Sequence, residues 1–170
     1  MPKLVMMPPQ NDQSREYARR LREALPEYQI VVPETEDEAR HEIADADAAY
    51  GWVSPELLPL AHKLRWLRSP HVAPPAGYYY PALIAHPVVV CNPRGIFNDT
   101  YRPAYHDVFE IEPLPPGYRL WTLPKSCLRR TSRPRTRRTS PNGASRLLDN
   151  AHRFAANEPL RNVVDKAVWY

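Results

Sequence analysis

A chain of 170 residues has room for one ordinary domain, or for one domain with appendages. Apolar content of 43% and charge of 25% are those of a globular chain able to build a core, and no apolar run approaches the roughly 18 residues of a membrane span. The formal charge of +4 hides an imbalance: eight of the 23 Lys and Arg residues fall between Leu123 and Arg146, where Asp and Glu are absent, which leaves 15 basic against 19 acidic residues elsewhere.

Twenty-one prolines, more than twice the average usage, exclude long helices from most of the chain. The two cysteines, Cys91 and Cys127, offer neither a metal-ligand spacing nor a disulfide framework, and no metal site is expected. Met1-Pro2-Lys3-Leu4-Val5 does not open a secretory leader. A cytoplasmic, reducing compartment is the expectation.

In chain order, Lys3–Met7 is a short apolar run followed by a turn through Pro8, Pro9 and Asp12. Gln13–Leu25 spaces Tyr17, Leu21 and Leu25 four apart, which predicts an amphipathic helix capped by Asp12. Gln29–Val32 reads as a second strand. Thr35–Ile43 reads as a short acidic helix with Thr35 as its cap. Ala46–Val53 is a third strand, and Ser54-Pro55-Glu56 has the pattern that opens a helix, here through Ala61. Leu64–Leu67 and Val88–Cys91 are two further strands.

Strands alternating with short helices imply parallel βαβ units. The expected fold is α/β, a small flavodoxin-like doubly wound sheet over residues 1–100, with runs such as Val88-Val89-Val90 suited to a sheet covered on both faces. Residues 101–124 are rich in Tyr and Pro. Residues 125–145 are a basic low-complexity stretch of Arg, Thr, Ser and Pro for which disorder is expected. Residues 146–156 return to helix, with Leu147, Leu148, Ala151 and Phe154 on one side, and the chain to Tyr170 reads as an extended tail.

The five glycines, Gly51, Gly77, Gly95, Gly117 and Gly143, lie too far apart for a G-x-G-x-x-G turn or a P-loop. Neither phosphate cradle can form from them.

Three stretches resemble the D-2-hydroxyacid dehydrogenases, in particular the glyoxylate/hydroxypyruvate-reductase-like branch. The first runs from Leu64-Arg65-Trp66-Leu67-Arg68-Ser69-Pro70-His71 through Val88–Cys91 to Thr100. The second is Asp107-Val108-Phe109-Glu110-Ile111-Glu112-Pro113, with Leu120-Trp121 following. The third is Leu147-Leu148-Asp149-Asn150 through Glu158-Pro159-Leu160 to Asp165. They stand in the family's order.

The resemblance implies a substrate domain over residues 1–100, with the C-terminal helix and tail of 146–170 packing back onto it, facing a nucleotide domain that should be inserted between Thr100 and Asp107. Only Tyr101–His106 stand there, so 101–124 would be a remnant of that domain's end, and NAD or NADP, the family's cofactors, are not expected to bind this chain well. Glu112 matches the family's catalytic glutamate. Its partner, a histidine in a Thr-Pro-His sequence, is missing, because no histidine occurs between His106 and His152. Asn92-Pro93-Arg94-Gly95 imitates the catalytic arginine turn but sits where the substrate domain's exit strand belongs. The loop Ser69–Gly77 is where the resemblance places a substrate carboxylate, on backbone N–H groups at Ala76 and Gly77, with His71 beside the pocket.

A truncated oxidoreductase with little or no activity toward small 2-keto acids is the leading reading. The alternatives are a non-enzymatic binding module and a degenerate product. Arg129-Arg130-Thr131-Ser132 recurs as Arg137-Arg138-Thr139-Ser140, which could serve a kinase or nucleic acid. Aromatic residues for base stacking are lacking there, so nucleic acid is disfavoured. The segment begins where the resemblance stops and ends where it resumes, which points instead to compensating frameshifts around residues 125–145. An exposed cleft face would favour self-association or a homodimer.

Overall fold

The computed structural model describes residues 1–72, 74–94 and 141–168. Five strands form one sheet: β1 (Lys3–Met6), β2 (Gln29–Val31), β3 (Ala48–Tyr50), β4 (Trp66–Arg68) and β5 (Val89–Cys91). Four helices accompany them: α1 (Asp12–Ala24), α2 (Glu36–Glu42), α3 (Pro81–Ala85) and α4 (Pro141–Ala155). The order is β2-β1-β3-β4-β5 with every pairing parallel, the flavodoxin-like arrangement read from the sequence. Calls on residues 95–140, including Glu112, the Asp107–Pro113 motif and the Arg-rich repeat, lie outside the described residues.

Side chains alternate across each strand and build two cores. Val5, Ala49, Leu67 and Val90 face α2 and α3 and pack with Ile43, Leu57 and Leu83. Leu4, Met6, Ala48, Trp66 and Cys91 face the other way, onto Tyr17, Leu21, Leu147 and Ala151 of α1 and α4. Because the crossover helices after β3 and β4 sit on the first face, the second face over β3–β5 has no local cover. Helix α4 supplies it from the far end of the chain, with the Phe154 ring 5.6 Å from Trp66 and the Arg65 guanidinium 4.6 Å over Phe154. Tyr28 donates its hydroxyl to the Ala151 carbonyl at 2.7 Å, and burial pushes that phenol up to about 12.

Beyond α4 the tail closes the outer edge of β5. Val164 N–H donates to Val90 O at 2.8 Å and Asn92 N–H to Asn162 O at 3.1 Å, so this edge does not offer a bare ladder. The Lys166 ammonium donates to the carbonyls of Leu83, His86 and Val88 at the end of α3, a favourable place for a cation.

Several boundaries differ from the sequence reading. Helix α1 is capped by Asn11, not Asp12: Asn11 is extended and exchanges hydrogen bonds with Ser14 in both directions, while Asp12 is the first helical residue. Thr35 caps α2 as expected. The stretch from Ser54 to Ala61 is not a continuous helix but a turn leading into a 3-10 helix over Leu58–Leu60, since Pro59 removes a donor that an α-helix would use. Strands β3 and β4 are shorter than their apolar runs. Helix α3, with Pro81 at its first position, was not foreseen. Helix α4 begins at Pro141, so 141–145 belong to it rather than to the low-complexity stretch.

Leu147 is fully enclosed between α4 and the sheet. We expect Leu147→Ala to lower unfolding free energy by about 2–5 kcal/mol in chemical denaturation, and Phe154→Ala, which is only half-buried, to lower it by less.

Candidate functional site

Open parallel sheets bind ligands beyond the carboxyl ends of their strands, at the point where strand order reverses. Here the reversal lies between β1 and β3. The strand ends are bound in a row, Met7 N–H to Tyr50 O at 2.8 Å, Gly51 N–H to Arg68 O at 3.0 Å and Ser69 N–H to Cys91 O at 2.8 Å. Two features rise from this edge: a cavity over the reversal, and the Ser69–Gly77 loop after β4.

The cavity holds about 310 Å³ and is lined by Met7, Pro8, Pro9, Leu57 and Trp52, with Ser54, Glu34 and Glu36 as its polar groups. Gly51 shapes it. This residue has φ of +125°, and a Cβ there would stand 2.8 Å from the Met7 Cβ, so the chain leaves β3 in a conformation that glycine alone tolerates well. Trp52, next in sequence, is thereby turned outward and stays 46% exposed. Neither Trp52 nor Glu36 was singled out in the sequence; a lone tryptophan after a glycine carries no periodic signal.

The β1–α1 turn is where a doubly wound sheet would cradle a pyrophosphate. Its residues do not fit that group. Pro8 and Pro9 have no N–H, the Asn11 and Ser14 amides are taken by their own capping box, and the Gln10 amide spans the turn to the carbonyls of Met6 and Pro33, at 2.7 Å each. The carboxylate of Glu36, which has no paired cation among the described residues, adds repulsion toward any phosphate.

The Ser69–Gly77 loop is pinned from several sides. Tyr78 donates its hydroxyl to Gly51 O at 2.6 Å, Tyr80 donates to Val53 O at 2.9 Å, and Asn92 Nδ2 donates to Val72 O at 3.3 Å. Ser69 Oγ accepts the His71 N–H at 3.2 Å. Between those anchors Ala76 and Gly77 are exposed, and Gly77 has φ of +86° with open space around its α-carbon. His71 is exposed as well, and His71, Ala76 and Gly77 do not line the switch-point cavity.

At the root of this loop lies a charged side chain that burial makes costly. Arg68 is 2% exposed, and its guanidinium donates to the Asn92 carbonyl. No carboxylate pairs with it among the described residues. Burial lowers its pKa, opposed by Cys91, Tyr50 and Tyr17 beside it, yet arginine remains charged. Cys91 is itself pushed up to about 11 by burial, so its thiol is not a nucleophile at neutral pH. Arg94 closes an Asx turn on Asn92 Oδ1 at 3.1 Å and donates to Val163 O at 3.2 Å, tying the tail to β5. No group of three or more His, Cys, Asp or Glu that could hold a metal occurs among the described residues, and no described helix is long and apolar enough to cross a membrane.

Compared with known proteins, the chain matches no family model and no curated protein. Among solved structures it resembles D-isomer specific 2-hydroxyacid dehydrogenase family proteins. One from Aeromonas salmonicida superposes with a TM-score of 0.57 at 15% identity, over 97% of this chain and 99% of that one. A second, from Klebsiella pneumoniae, gives 0.36 at 18% identity, over 98% of this chain and 56% of that one. An NADPH-dependent glyoxylate/hydroxypyruvate reductase from Sinorhizobium meliloti, solved with NADP and sulfate, gives 0.36 at 16% identity, over 99% and 57%. The first of these likenesses shows a D-2-hydroxyacid-dehydrogenase-like fold, and the chain spans little more than half the length of the last two proteins.

The two glycines at this edge are constrained differently. Gly51→Ala meets both backbone strain and the Met7 side chain, and should cost about 1–3 kcal/mol. Gly77→Ala meets strain alone and should cost less. Thermal denaturation of the two variants side by side checks the order.

Proposed function

We propose that this chain is a substrate-binding module of the D-2-hydroxyacid dehydrogenase type, which takes up a small 2-keto or 2-hydroxy carboxylate at the Ser69–Gly77 loop and has little or no hydride-transfer activity of its own. The observation that carries this reading is the exposed, left-handed backbone at Gly77, in a loop that leaves β4 directly after Arg68, a buried guanidinium without a carboxylate partner among the described residues. Exposed N–H groups on small residues suit a carboxylate. A buried cation whose charge is not neutralised locally adds attraction that water screens poorly.

Hydride transfer needs more than an acid site. A nicotinamide must lie against the carbonyl carbon, and a proton donor must meet the developing alkoxide. The described residues do not fit a dinucleotide at the β1–α1 turn. The sequence keeps Glu112 without the histidine it would assist, so Glu112 carries no catalytic step in this reading. What remains is recognition of the acid.

Titration of the full chain with glyoxylate and hydroxypyruvate, followed by amide chemical shifts, should give saturable weak binding with shifts at Ala76 and Gly77. Arg68→Met should weaken it about fivefold, corresponding to ~1 kcal/mol. Oxidation of NADPH in the presence of either acid should not exceed the rate without protein. Turnover would make the chain an enzyme, and absence of saturable shifts at the loop would remove the carboxylate site.

A further inference from the structure

We propose that the cavity at the strand-order reversal is a site for an organic cation, a guanidinium group carried on an apolar chain. It goes beyond the acid-binding reading, since no residue of Ser69–Gly77 lines this cavity.

The polar groups decide the sign of the ligand. Glu34 is already spent: both of its oxygens accept from the Arg15 guanidinium, at 2.6 and 2.7 Å, and that pairing holds its carboxyl below the usual range. Glu36 is in a different position. One oxygen accepts the Ser54 hydroxyl at 3.1 Å, and no cation pairs with it among the described residues. The neighbouring Glu38 accepts the Glu34 N–H at 2.8 Å, and Asp37 follows Glu36 in the first turn of α2. The field at the mouth is therefore negative, with one carboxylate available to an incoming donor. An anion, including a 2-keto acid, is disfavoured here.

The remaining walls decide the shape. Trp52 is 46% exposed beside the cavity, and an indole face attracts a cation set over it. Met7, Pro8, Pro9 and Leu57 form an apolar lining suited to a methylene chain. A planar guanidinium can stack on an indole and direct a pair of N–H groups at a carboxylate, which an ammonium does less well. About 310 Å³ lies at the small end of ligand pockets, matched to one side-chain-sized group rather than to a nucleotide.

The same group can arrive as a free guanidine or as an arginine side chain in a peptide. We would titrate the full chain with agmatine, with acetyl-Gly-Arg-Gly-amide, and with butylurea as a neutral analogue, following heat and the Trp52 indole resonance. Saturable binding of agmatine or the peptide, and not of butylurea, is the expected result, and the tighter of the two identifies the source. Glu36→Gln should weaken binding about tenfold or more, and Trp52→Leu about threefold, with thermal melts of both variants confirming that they fold. Equal binding of butylurea, absence of binding by both cations, or unchanged affinity in folded Glu36→Gln would overturn the proposal. Loss of glyoxylate shifts at Gly77 would leave it standing, so the two sites fail independently.

Discussion

A parallel sheet has no face it can leave to water, because its crossover helices must bury both sides. In this chain the constraint falls on Trp66, Ala48 and Cys91. The connections after β3 and β4 both pass over the opposite face, so these residues depend on a helix that is distant in sequence. Helix α4 brings Leu147, Ala151 and Phe154 to them. The carboxyl edge of the sheet, with its cavity and its loop, is held in register only when both layers are in place.

That edge separates charge. Over the reversal of strand order, α2 begins with Glu36, Asp37 and Glu38, and Glu36 shares the cavity wall with Pro8, Pro9 and Trp52. At the end of β4, Arg68 is enclosed with the Asn92 carbonyl, Cys91, Tyr50 and Tyr17 beside it. Neighbouring strand ends thus offer environments of opposite sign. A sheet edge of this kind selects its ligands by charge before shape enters.

Much of this was legible in the sequence. Lys3–Met7 announced a strand, Val88-Val89-Val90 a sheet covered on both faces, Tyr17, Leu21 and Leu25 announced α1, and Thr35 announced the start of α2. The order of strands and helices then left few topologies open. Other elements were illegible for physical reasons. Asn11 and Asp12 are both capable caps, and only the backbone dihedral decides between them. Helix α3 spans Pro81–Ala85, too short for a 3.6-residue period to register. In Arg65-Trp66-Leu67-Arg68, the two arginines look alike, yet period-two alternation puts Arg68 on the face of Trp66 and encloses it. Trp52 and Glu36 become neighbours only after Gly51 redirects the chain, so the cation-binding cavity could not be read in advance. The loop residues His71, Ala76 and Gly77 rested on resemblance, and the structure leaves them exposed and outside the cavity at the strand-order reversal.

The strap formed by Val163, Val164 and Lys166 has one more consequence. It joins the last described residues to β5 and α3 through backbone and ammonium hydrogen bonds, while α4 joins them to β4 through packed rings. Two fragments produced by a single cleavage anywhere between Arg94 and Pro141 would thus share a non-covalent seam, one carrying the five strands and the other the missing layer. Peptide-bond continuity across that interval would cease to be what unites them, and mixing the separated pieces would become a route to reassembly.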